Sequence, residues 1–113
     1  MTKVEAIIRP SKLDDVKEAL DDIGVKGITV IHVSGAGKQR GRTQYYRGQE
    51  YVVNLIDKIK IETVVTDDLA QAVVNAIVES AGTGEIGDGK IFLSKIDGAI
   101  RIRTREEGDI ALS

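Results

Sequence analysis

Hydrophobic period changes twice along this 113-residue chain, in the same order each time: alternation, then a helical stripe, then alternation again. That repeated order limits the fold more than any other feature. Alternating segments need a sheet, and striped segments need that sheet to cover their apolar side. Val4, Ala6 and Ile8 alternate with Lys3, Glu5 and Ile7, and Pro10 ends the strand. Ser11 is the expected helix cap, with Asp14 and Asp15 in the first turn, where the helix dipole favours acids. Leu13, Val16, Leu20 and Ile23 then share one helix face, and Gly24 is placed to stop it. Residues 27–33 read as a second strand and residues 52–65 as a long third one, with Ile59 and Ile61 on one face and Lys58, Lys60 and Glu62 on the other. Thr66 caps a second helix whose inner stripe is Leu69, Val73, Ala76, Ile77 and Ser80, with Gly82 after it. A glycine-rich turn follows at 84–89, a strand at 90–96 and a short strand at 99–103. The acidic tail, about residues 104–113, is expected to be loose.

This order predicts an α+β fold: a ferredoxin-like βαββαβ sandwich, one domain over residues 1–113, with both helices on one sheet face. A long loop joins the second and third strands. The opposite sheet face carries Lys58, Lys60, Glu62, Arg101 and Arg103. Either those charges are solvated, or the face is covered by self-association. Phe92 is the sole Phe, beside three Tyr and no Trp, so the core must be aliphatic. No cysteine is present and His32 is the sole histidine, which excludes disulfides, thiolate metal sites and multi-His sites within one chain. A formal charge of -2 gives no reason to expect nucleic acid. The start, Met1 to Glu5, does not resemble a signal peptide, and no apolar run approaches a membrane span. A soluble cytoplasmic domain is expected.

Two glycine-rich segments invite a phosphate reading. Gly35, Gly37 and Gly41 follow a strand, but the spacing is wrong for a dinucleotide fingerprint and no helix pattern follows. Gly84 to Lys90 has P-loop spacing, yet Ile91 stands where a Ser or Thr should hold magnesium, and a strand follows instead of a helix. The P-loop reading fails. Backbone N–H groups converging on a phosphate, with Lys90 beside them, remain possible; an ordinary glycine turn is the alternative. Residues 35–51 show no period, and they hold Lys38, Arg40, Arg42, Arg47, Tyr45, Tyr46 and Tyr51 against a single acid, Glu50. Such a long aperiodic stretch in a small domain is usually functional. Arg and Tyr suit a protein interface, or could stack on bases and grip phosphates. Arg101 and Arg103 alternate onto one strand face, which suits a polyphosphate or a pair of surface salt bridges.

Several blocks, in order, resemble the PII family of signal-transduction proteins: Glu5 to Pro10, Tyr46 to Tyr51, Lys58 to Glu62, Thr83 to Phe92 and Arg101 to Thr104. The similarity runs from the N-terminus to about Gly108. The resemblance implies a cytoplasmic homotrimer that binds ATP or ADP in clefts between subunits. It implies phosphate contacts from Gly35, Gly37, Lys38, Gly87, Asp88, Gly89 and Lys90, with Arg101 and Arg103 coming from the adjacent subunit. The base would lie near Ile7, Glu62, Val64 and Thr29. Mg²⁺ would link ATP to 2-oxoglutarate through the Gln39 side-chain oxygen, and 2-oxoglutarate would also meet Lys58 and Gly87.

The long loop, the T-loop at about residues 37–55, would dock on an ammonium transporter or a nitrogen-metabolism enzyme or regulator. Arg47, Tyr46 and Tyr51 would be its contacts, and a transporter target would recruit the protein to the membrane. Tyr51 is also the position that can be uridylylated. The chain departs from the family pattern at Gln49, where Ala or Ser is preferred, and at Lys38, which replaces a common Arg; Ala36, Asp57 and Gly82 differ as well. Gln49 beside Tyr51 favours direct docking over modification. The competing class is a small nucleotide-hydrolysing enzyme of the same fold, but no acid–base dyad, nucleophile pair or second metal site is visible. An RNA-binding domain of this fold would need rings on its strands, and here the tyrosines fall in the loop.

Overall fold

A computed structural model describes residues 1–36, 43–46, 49–52 and 55–113, with positions 43–46 and 49–52 described as backbone alone. Its elements are β1 (Thr2–Ile8), α1 (Leu13–Asp22), β2 (Thr29–Ala36), β3 (Thr43–Tyr46), β4 (Gln49–Val52), β5 (Leu55–Val65), α2 (Asp67–Ala81) and β6 (Lys90–Lys95). The main sheet has the order β2-β5-β1-β6. Every neighbouring pair in it is antiparallel. This is the expected ferredoxin-like arrangement, with β1 and β5 in the centre.

Alternation sets which side is buried. Val4, Ala6 and Ile8 of β1 and Ile59, Ile61 and Val65 of β5 point under the helices. Val16 and Leu20 of α1, and Val73, Ile77 and Ala81 of α2, close the cluster from above. No aromatic ring belongs to this cluster among the described residues, as the composition required. Among the described residues, the two buried hydroxyls each have a partner: Thr63 donates to Gly27 O at 2.7 Å and Thr2 to an Asp67 oxygen at 2.6 Å.

Gly24 does end α1. It adopts φ +88, its N–H donates to Asp21 O at 3.0 Å, and the Val25 N–H reaches Leu20 O at 2.9 Å. These two bonds form a Schellman motif, with Val25 folded into the core. The helix start differs from expectation. Pro10–Lys12 forms a 3-10 turn ahead of α1, so Ser11 lies within that turn and no side chain caps the helix. Proline's fixed φ starts the turn early. Thr66 occupies the expected cap position of α2 without a side-chain hydrogen bond, and Asp67 and Asp68 complement the dipole there.

Further expectations need correction. Residues 35–51 are not free of regular structure: β2 continues to Ala36, and β3 pairs with β4 as a two-stranded antiparallel ribbon. β5 begins at Leu55, not at residue 52. Residues 99–103 are not a strand. The chain bends back instead, with Ile100 bridged to Glu107 and the Arg105 N–H on Arg101 O at 2.7 Å. The tail is tied down by this fold-back and by a 3-10 turn at Gly108–Leu112. Arg101 and Arg103 therefore do not sit on the open sheet face.

That face carries lateral ion pairs. Lys3 meets Glu5 at 2.7 Å, and Lys60 meets Glu62 at 3.1 Å. Phe92 and Ile31 lie among the exposed apolar residues, and the register places both on this face, opposite Glu5 and Lys60.

Candidate functional site

The 84–89 turn is built around Asp88. Its carboxylate accepts the Thr83 hydroxyl, the Thr83 N–H at 2.8 Å and the Gly84 N–H at 2.9 Å. Arg9 reaches across from the end of β1, donating Nε to Asp88 at 3.2 Å and Nη2 to Ile86 O at 2.8 Å. These hydrogen bonds, the Thr83 hydroxyl foremost, hold the Asp88 carboxyl far below the usual carboxylate range. The side chain of Asp88 thus fastens the turn from within, which leaves the backbone at this position as the group able to meet a phosphate.

Glycine is required where the turn meets the sheet. Gly89 adopts φ +102, and a Cβ there would lie 1.6 Å from Ile7 O. The turn is therefore pressed on the end of β1, and Lys90 enters β6 opposite Ile7. Lys58, on the open face of β5, donates Nζ to Gly87 O at 2.7 Å. Burial lowers its pKa, and the nearby Arg9 charge adds to the effect while Asp88 opposes it.

These elements enclose an open cleft of about 470 Å³, lined by Ile7, Gly35, Ala36, Ile56, Lys58, Ile86, Gly87, Gly89, Lys90 and Phe92. Apolar walls with two ammonium groups and a glycine backbone suit an anion with a flat or apolar body. A smaller hollow of about 370 Å³, lined by Pro10, His32, Val33, Ser34, Asp57 and Lys58, lies on the other side of Lys58.

The structure brings Ile7, Gly35, Lys58, Gly87, Gly89 and Lys90 together at one cleft. Asp88 belongs to the turn itself, and the other described nucleotide contacts are not among the lining residues. Thr29 and Glu62 face each other across β2 and β5. Glu62 is four residues beyond Lys58 on the same strand face, about 13 Å along the strand. Val64 lies further still, and Arg101 and Arg103 are on the fold-back after β6. Gly37, Lys38, Gln39 and Arg47 lie outside the described residues; Tyr46 and Tyr51 are placed in the ribbon as backbone, opposite Gln49 and Gln44. Sequence reasoning missed four cleft residues: Ala36, Ile56, Ile86 and Phe92. It also missed the part Arg9 plays in fastening the turn. Ile56 and Phe92 had a signal, each being two residues from an expected lysine and so on its strand face.

Compared with known proteins, the chain matches the family described as nitrogen regulatory protein P-II over residues 1–106. It belongs to that family. The chain is 53% identical to the nitrogen regulatory protein P-II of Haemophilus influenzae over 112 residues, covering 99% of this chain and all of the relative. It is 56% identical to that of Rhizobium meliloti over 108 residues, 96% of each chain. P-II proteins are nitrogen regulators, so the role is signalling and not catalysis. No helix among the described residues is long and apolar enough to cross a membrane.

Proposed function

We propose that this P-II chain reports nitrogen, carbon and energy status by binding ATP or ADP and, with Mg-ATP, 2-oxoglutarate, and that it controls its targets through the T-loop. The observation behind the reading is the cleft in which Lys58, Lys90 and the Gly87–Gly89 backbone converge. Phosphates would meet the N–H groups of that turn and the Lys90 ammonium, where positive-φ glycines permit close approach. Lys58 would exchange the Gly87 carbonyl for a carboxylate of 2-oxoglutarate. The exchange would give the cation a charge-assisted partner in place of a neutral carbonyl.

Among the described residues, the cleft wall presents no carboxylate. A magnesium ion there would be held chiefly by phosphate and 2-oxoglutarate oxygens with the Gln39 amide, which agrees with its preference for oxygen ligands and substrate phosphates. Such an arrangement makes 2-oxoglutarate binding depend on ATP.

Assembly supports the same reading. Within one chain, Thr29, Glu62, Val64, Arg101 and Arg103 do not line the Lys58–Lys90 cleft. A homotrimer that sets one group against the other across each interface reunites them, and its formation would cover the exposed Phe92 and Ile31. The trimer works in the cytoplasm. Its loop residues Arg47, Tyr46 and Tyr51 dock on an ammonium transporter or a nitrogen-metabolism enzyme or regulator, and Tyr51 is also open to modification.

Light scattering after gel filtration, combined with calorimetric titration of ATP, tests this. The expectation is about three chain masses, with ATP binding weakened by Lys90→Ala far more than adenosine binding. A stable monomer, or equal losses for both ligands, would defeat the shared-cleft account.

A further inference from the structure

The tail folds back onto Arg101, one of the two arginines expected to hold nucleotide phosphate. We propose that residues 104–113 act as an internal latch that competes with phosphate for the Arg101 guanidinium. This rests on the nucleotide reading above and adds a regulation to that site.

The contacts on Arg101 are numerous for a partly exposed side chain. Nη1 donates to a Glu106 carboxylate oxygen. Nη2 donates to Ile110 O at 2.7 Å and to Ser113 O at 2.7 Å. A guanidinium forks onto an anion along one of two edges, Nε with Nη2 or Nη1 with Nη2. Both edges need Nη2, and Nη2 is engaged by two oxygens of the tail, Ile110 O and Ser113 O. Bidentate phosphate binding therefore requires the tail to let go.

Backbone bonds close the same fold-back and must break when it opens. The Arg101 N–H donates to Glu106 O at 2.9 Å, and the Gly108 N–H donates to Ala99 O at 3.0 Å. Thr104 steadies the Glu106 carboxylate with a hydroxyl bond of 2.7 Å. Arg105 takes φ +62 to make the bend, an uncommon conformation for a residue other than glycine. Arg103, two residues on, is exposed and takes no part. Phosphate can thus engage Arg103 without cost and gains Arg101 only as the tail opens. A site that is competent for a fraction of the time binds more weakly in proportion.

The test uses the full chain and ATP. Glu106→Gln removes the carboxylate charge from Arg101, and Thr104→Val loosens Glu106 without touching Arg101. Each should tighten ATP binding by about two- to fivefold, the range of a partly exposed ion pair. In the wild type, saturating ATP should speed hydrogen exchange at the amides of Gly108 and Ser113, the reverse of ordinary ligand protection. Unchanged or weakened ATP affinity in both variants, or tail amides that slow or stay constant with ATP, would overturn the latch while leaving the nucleotide site standing. A wild type that takes up no ATP would remove the nucleotide reading itself.

Discussion

Replacing Gly89 by alanine should damage the protein much more than the same change at Gly84, although the two glycines belong to one turn. Both have positive φ, +84 at Gly84 and +102 at Gly89. An L-residue held there costs roughly 1–2 kcal/mol. The difference lies in space. A Cβ on Gly84 meets nothing within 4 Å, whereas one on Gly89 would sit 1.6 Å from Ile7 O, a backbone atom that no rotamer change can move. The start of β6 would have to leave β1, giving up the Ile7–Lys90 pairing. One or two lost backbone hydrogen bonds add about 0.5–1.5 kcal/mol each. Gly84→Ala should therefore cost about 1–2 kcal/mol and Gly89→Ala about 2–5 kcal/mol. Urea unfolding followed by circular dichroism measures both, at one fixed protein concentration because assembly couples stability to concentration. Equal losses for the two variants would refute the argument that crowding against β1, and not φ alone, demands glycine.

Acid should weaken the fold partly through Asp67. The Thr2 hydroxyl first, then the Lys95 and N-terminal ammonium groups, push its carboxyl down from 3.8 to about 2. A lowered folded-state pKa gives stability that is present above the unfolded value and is lost as pH falls through the folded one. Stability should thus fall between about pH 4 and pH 2, and Asp67→Asn should flatten that limb; an unchanged slope would show that other carboxylates set it. Pull-downs from membranes and lysate should show partner capture weakened by ATP with 2-oxoglutarate and strengthened by ADP. Arg47→Ala should lose capture. If it binds every partner normally while Tyr51→Phe abolishes regulation, modification is the main signal.

Strands and helices were legible wherever burial imposed a period. Val4, Ala6 and Ile8, and Ile59 and Ile61, could be read because each run has one covered face. Where no face is covered, alternation misleads. Arg101, Ile102 and Arg103 look like a strand, but Ile102 is 96% exposed and the segment has a bend where a strand partner would be. The opposite error occurred at β3 and β4. Thr43, Tyr45, Tyr46, Tyr51 and Val52 are good strand formers, and only two residues, Arg47 and Gly48, separate the two runs. The density of arginines hid the pairing. Within the site, the glycines and lysines could be named from sequence, but the inward use of Asp88 could not. Its role depends on Arg9, 79 positions away, and on Thr83, contacts that only the folded chain creates.

Lys58 is the residue on which the 2-oxoglutarate site depends. Calorimetric titration of 2-oxoglutarate, with and without saturating Mg-ATP, should give binding only when Mg-ATP is present. Lys58→Met keeps the apolar stem and removes the ammonium, so it should abolish that isotherm while ATP binding stays nearly intact. Binding of 2-oxoglutarate that needs no Mg-ATP, or that survives Lys58→Met unchanged, would contradict the assignment of this cleft.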